Sequence, residues 1–138
     1  MPRKPKALVF DSWAVLAYLG GETSSPEVAD LIANAHEDRT PMFMSIINAG
    51  EVWYILAREV SETQADAALA DLTGLGIQFI DADWRLTRMA GTFKAHYRMS
   101  YADCFAAALA KERKAELATG DKEFKQVEGD IRIWWLGT

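Results

Sequence analysis

The chain has 138 residues, half of them apolar and a quarter charged, with a formal net charge of −5. That size fits a single domain (residues 1–138), and the composition excludes a disordered or low-complexity chain. The acidic balance argues against a nonspecific nucleic-acid binder but not against a nucleic-acid enzyme.

The basic opening Pro2–Lys6 ahead of an apolar run resembles a signal peptide, but Asp11 interrupts that run, and the segment reads as strand then helix. Ala7–Phe10 is short, apolar and β-rich; Ser12–Leu19 follows as a helix ended by Gly20-Gly21. Ser24 or Ser25, with Pro26 in the first turn, starts a second helix towards Glu37. Met42–Met44 reads as a strand, Ser45 as the cap of a helix over Ile46–Glu59, and Ser61 with Gln64 as the capping box of a helix through Leu72. Gly74-Leu75-Gly76 releases the chain into a strand at Ile77–Ile80. Asp81 or Asp83 opens a helix to about His96, and Ser100 caps another over Tyr101–Lys114, whose Ala102, Ala106, Ala107 and Ala110 allow close packing on a sheet. Glu116–Ala118 reads as a strand, Asp121–Val127 as a short helix and Ile131–Leu136 as a last strand. Alternating strands and helices predict an α/β domain on a mainly parallel sheet, in which ligands bind beyond the carboxyl ends of the strands. No run approaches the ~20 apolar residues of a membrane span, and a soluble, cytoplasmic protein is expected.

Three acids stand alone in long uncharged stretches. Asp11 is the only charge from Ala7 to Gly21, Glu51 from Pro41 to Ala57, and Asp103 from Met99 to Ala110. Carrying an unpaired carboxylate inward costs several kcal/mol. Each acid also has a local alternative. Asp11 and Asp121 are placed to cap helices, and Asp103 is the third-position acid of a Ser100 capping box. Glu51 lies too deep in its helix to cap it. A common explanation is that Asp11, Glu51, Asp103 and Asp121 converge on a divalent cation. Carboxylates without paired histidine or cysteine suit Mg²⁺ or Mn²⁺ rather than zinc. Ser12 and Thr119 are hydroxyl donors beside the first and last acids, and Asn48 shares a helix face with Glu51. His36 and His96 have no nearby second ligand and are expected at the surface. Cys104, the only cysteine, is expected in the core.

Four segments, Val9-Phe10-Asp11-Ser12, Ile47–Val52, Ala102–Ala110 and Ala118–Phe124, in this order and at these separations, resemble the PIN domain, and more narrowly the VapC-type ribonuclease toxins of bacterial toxin–antitoxin pairs. The resemblance covers essentially the whole chain. It implies a three-layer α/β/α fold and a Mg²⁺- or Mn²⁺-dependent endoribonuclease. Asp11 and Asp103 would then match the principal ligands, Glu51 and Asp121 the acids completing the site, and Ser12, Asn48 and Thr119 its polar surround. It also implies RNA as substrate, a VapB-type antitoxin as partner, and a homodimer.

Trp13, Tyr18, Trp53 and Tyr54 are placed either to anchor an antitoxin tail or to fill the core, and the core reading is stronger for Trp134 and Trp135. Arg85, Arg88, Lys94 and Arg98 are candidates for phosphate contacts or for a solvated helix face, whereas Lys111, Arg113 and Lys114 read as a helix C-terminal charge cluster. Two rivals remain. A phosphatase of the haloacid-dehalogenase type would need Asp-x-Asp where this chain has Asp11-Ser12-Trp13. A noncatalytic module would use the acids only for structure.

Overall fold

Leu8–Phe10 (β1) has no solvent exposure, because it runs down the middle of the molecule. The other strands are Met42–Ser45 (β2), Ile77–Ile80 (β3), Glu116–Thr119 (β4) and Arg132–Trp135 (β5), in the spatial order β3-β2-β1-β4-β5. Every pairing is parallel, so the sheet expected to be mainly parallel is wholly so. This computed structural model describes residues 3–137; Pro2 of the basic opening, with Met1 and Thr138, lies outside the described residues.

Alternation along the strands sorts the core into two layers. Leu8, Phe10, Met42 and Met44 face the helices Ser12–Leu19 (α1), Ser25–Asp38 (α2), Ile46–Glu59 (α3) and Glu62–Gly74 (α4). Val9, Phe43 and Leu117 face Trp84–His96 (α5) and Tyr101–Arg113 (α6). The result is the three-layer α/β/α arrangement. Cys104 is buried in the α6 layer, and His36 and His96 are exposed. Among the described residues, no helix is long and apolar enough to cross a membrane.

Most elements form where the capping signals place them: Ser45, Ser61, Asp83 and Ser100 each accept a backbone N–H at a helix start. The expected helix at Asp121–Val127 is instead a 3-10 helix over Lys122–Val127, a form typical of such short pieces. The first and last strands are shorter than their apolar runs, since Ala7, Ile131 and Leu136 are buried beyond the ends of their ladders.

One strand charge escaped the sequence reading. Glu116 is buried at the start of β4 and is ion-paired with Arg3.

Ala106, Ala107 and Ala110 of α6 are fully or almost fully buried in the layer against the sheet. Ala107→Leu should lift α6 and cost ~1–3 kcal/mol, read as a lowered urea midpoint with an unchanged denaturant slope.

Candidate active site: an acidic centre at the carboxyl edge of the sheet

The register of β1 on β4 pairs Phe10 with Ala118, so the next residues, Asp11 and Thr119, emerge side by side at the carboxyl edge. Thr119 Oγ1 donates to Asp11 Oδ2 at 2.5 Å and accepts the Asp121 N–H at 3.0 Å. One hydroxyl thus ties two acid-bearing segments together. The other oxygen of Asp11 accepts the Ala14 N–H at 2.9 Å and caps α1.

A second tie brings in α3 and α6. Asn48 is fully buried, and its Nδ2 donates to Ser12 Oγ at 3.3 Å and to the Ala102 carbonyl at 3.1 Å. Ser12 Oγ returns a bond to the Asn48 carbonyl at 3.4 Å. Asn48 therefore joins the starts of α1, α3 and α6, rather than orienting Glu51 as its helix spacing suggested. Its Oδ1 is the one buried side-chain polar atom without a partner among the described residues.

The local capping roles of Asp103 and Asp121 coexist with their close approach. Asp103 donates its N–H to Ser100 Oγ at 3.1 Å, and Asp121 caps the 3-10 helix through the Glu123 N–H at 3.0 Å. The capping brings a carboxylate oxygen from each of Asp103, Asp121 and Glu123 within 4.8 Å of one another. Glu123 was not selected from the sequence. The signal was its place two residues after Asp121, where a capping turn folds it back beside that acid. Asp11 and Glu51 lie outside this triplet but within electrostatic reach of Asp103.

Trp13 buttresses the same corner. A Cβ built on Gly120 would overlap the Trp13 ring, so the half-buried indole packs directly on the backbone that leads into Asp121. The other aromatic candidates differ in exposure. Trp53 is partly buried and donates its ring N–H to Asp66, Tyr18, Trp134 and Trp135 are partly buried, and Tyr54 is 48% exposed.

The four basic candidates separate. Lys94 donates to the Met99 carbonyl at 2.6 Å and Arg98 is held through its backbone by Gln126, both at the loop that leads into Asp103. Arg85 pairs with Glu112 at 3.9 Å, nine residues beyond Asp103 and roughly 14 Å along the α6 axis. Arg88 lines a groove on the outer face of α5.

The PIN domain family profile matches residues 8–130. The chain belongs to the PIN domain family. Among solved structures, VapC20 of Mycobacterium tuberculosis, a sarcin–ricin-loop-cleaving toxin, is 18% identical, with a TM-score of 0.69 over 92% of this chain and 98% of that one. VapBC2 of Rickettsia felis, bound to promoter DNA, is 18% identical, with a TM-score of 0.72 over 94% and 98%. DNA-bound VapBC of Salmonella typhimurium is 16% identical, with a TM-score of 0.72 over 93% and 96%. At these identities the likeness establishes the fold. Comparison with curated proteins gives no match.

In this PIN domain the acids are electrostatically unfavourable neighbours. Burial, then the nearby Asp103 and Asp121, push Asp11 up to about 7 despite the bonds from Thr119 and Ala14. Burial, then Asp121 and to a lesser degree Glu51 and Glu123, push Asp103 up to about 6. The folded protein retains protons that the unfolded chain releases near 3.8, so these groups weaken the cation-free fold as pH rises from about 4 to 7.

Asp11→Asn keeps an acceptor for Ala14 and removes the charge. In EDTA it should raise stability by roughly 1–3 kcal/mol at pH 8 and hardly at all at pH 4, measured by urea unfolding at both pH values. Gly120→Ala must displace Trp13. A loss of ~1–3 kcal/mol is expected, with an altered near-ultraviolet tryptophan signal.

Proposed function

We propose that this PIN domain is a divalent-metal-dependent endoribonuclease and the toxin member of a VapBC-type pair. The observation that carries the reading is the convergence of acids from separate elements at one sheet edge. They are held there by Thr119 and Asn48 although two of them are driven towards their protonated forms by burial and mutual repulsion. A structural role alone would be served better by neutral caps.

The residues fit a hard cation. The donors are carboxylate oxygens, and Asn48, which bonds Ser12 and the Ala102 carbonyl next to Asp11 and Asp103, keeps a buried oxygen without a partner, suited to an ordered water. Asp103, Asp121 and Glu123 would hold Mg²⁺ or Mn²⁺, with Asp11 and Glu51 completing the charge around it. When bound, such an ion acidifies water and stabilises charge on a phosphodiester under attack.

The chain's own residues supply the rest. Thr119 fixes the plane of the Asp11 carboxylate, and the Ser100 cap fixes the start of α6 and so the position of Asp103. Glu51, on α3 and within electrostatic reach of Asp103, would receive the proton of an attacking water. Hydrolysis then joins the water oxygen to phosphorus, breaks one P–O ester bond and returns a proton to the departing ribose oxygen.

The toxin assignment rests on the relatives, several of which are toxin–antitoxin complexes. By that analogy the partners are RNA, a VapB-type antitoxin and a second copy of this chain. Ile46, Ile47 and Tyr54, exposed on α3 with Glu51, offer apolar contacts to an antitoxin segment.

Purified protein incubated with total cellular RNA should make discrete cuts with Mg²⁺ or Mn²⁺ and none in EDTA. Asp103→Asn should lower the rate at least ~100-fold without unfolding the protein. Absence of cutting by folded, metal-loaded protein would remove the nuclease reading. Metal affinity, followed by calorimetry, should rise from pH 6 to 8 as Asp11 and Asp103 release their protons, with proton uptake by the buffer.

A further inference from the structure

A groove of about 470 Å³ opens on the outer face of α5 and α6, away from the acidic centre. Arg88, Phe93, His96, Tyr97, Lys111 and Asp130 line it. Lys111 lies eight residues beyond Asp103 on α6, roughly 12 Å along its axis, so the groove is a separate surface. It is nevertheless linked to the centre through the chain. Tyr97, on its wall, begins the four-residue loop to Ser100, the residue that caps α6 and binds the Asp103 N–H. Gln126 pins that loop by bonding both the N–H and the carbonyl of Arg98 at 3.1 Å.

The cations of the groove are uncommitted. Neither Arg88 nor Lys111 forms an ion pair among the described residues, and the Lys111 ammonium sits over the Phe93 ring, 5.8 Å from its centre, with its donors free. The one acid, Asp130, accepts the Tyr97 hydroxyl at 2.8 Å. His96 Nδ1 donates to the Thr92 carbonyl at 2.8 Å, which leaves Nε2 facing outward without a protein partner among the described residues. A protein of net charge −5 thus presents two unpaired cations beside two aromatic rings.

We propose that this groove is an RNA exosite, holding a single-stranded segment that flanks the cleaved bond and crosses the Tyr97–Ser100 loop on its way to the acids. Arg88 and Lys111 contact phosphates, and the partly exposed Tyr97 ring, backed by the buried Phe93, offers a surface to a base. Charge complementarity selects the occupant, because an acidic centre cannot by itself attract a polyanion. The exosite rests on the nuclease reading for its purpose but not for its test.

Binding of a long single-stranded RNA and of an oligonucleotide of a few nucleotides is measured by fluorescence anisotropy in the Asp103→Asn background, over a salt series. Arg88→Glu/Lys111→Glu should weaken the long RNA at least ~10-fold and lower the slope of log affinity against log salt by about 1.4, two phosphates at ~0.7 each. The short oligonucleotide should be unaffected. Arg88→Gln/Lys111→Gln should give an intermediate loss, and unchanged thermal midpoints show that both variants fold. Unchanged long-RNA binding and salt slope overturn the exosite even if the unaltered protein cleaves RNA. Weakened long-RNA binding supports it even if no cleavage is seen, in which case only the nuclease reading fails. Loss of affinity for a polyglutamate peptide with RNA binding intact overturns it in favour of an acidic polypeptide.

Discussion

The Thr119 hydroxyl is the interaction on which the site depends. It donates to one acid and accepts from the backbone of another, and so holds β1 and the turn after β4 in a geometry that their charges oppose. Repulsion between carboxylates a few ångströms apart in a partly dry environment is worth several kcal/mol. The fold withstands it because the strands beneath are fully buried and cannot spread. Asn48 does the same for α3 and α6, leaving an orphaned buried oxygen that costs about 1–3 kcal/mol.

Capping and ligation are compatible roles for one carboxyl group. Asp11 and Asp121 each spend one oxygen on a helix start. That bond orients the second oxygen. The sheet supplies the convergence, since a parallel strand and the helix after it meet at the carboxyl edge, where backbone N–H groups also point.

Much of this was legible in the sequence for a definite reason: isolated charges in apolar runs and serine caps before helices are local signals with physical causes. The four selected acids and Ser12, Asn48 and Thr119 all lie at or around one sheet edge. What the sequence left hidden depends on contacts between distant segments. Asn48 reaches across to Ala102 instead of to Glu51 on its own helix, and Trp13 settles on Gly120. Glu123 swings in only because a tight turn caps on Asp121. Arg85, Arg88, Lys94 and Arg98 look alike in sequence and separate in space, because a helix distributes neighbouring residues around its axis and an antiparallel partner decides which of them meets a carboxylate.

The strand order has a consequence for how the molecule comes into being. β1 is made first and takes its central place only when β4 arrives, and the Asp11–Thr119 bond closes a separation of 108 residues. Such long-range parallel pairing is among the last things a growing chain can complete. Asp11 and Glu51 leave the ribosome well before Asp103, and Asp121 follows last of the four. A chain that stops short of β4 therefore carries Asp11 and Glu51 without the centre, and whatever chemistry the assembled edge performs is withheld until β4 has docked beside β1.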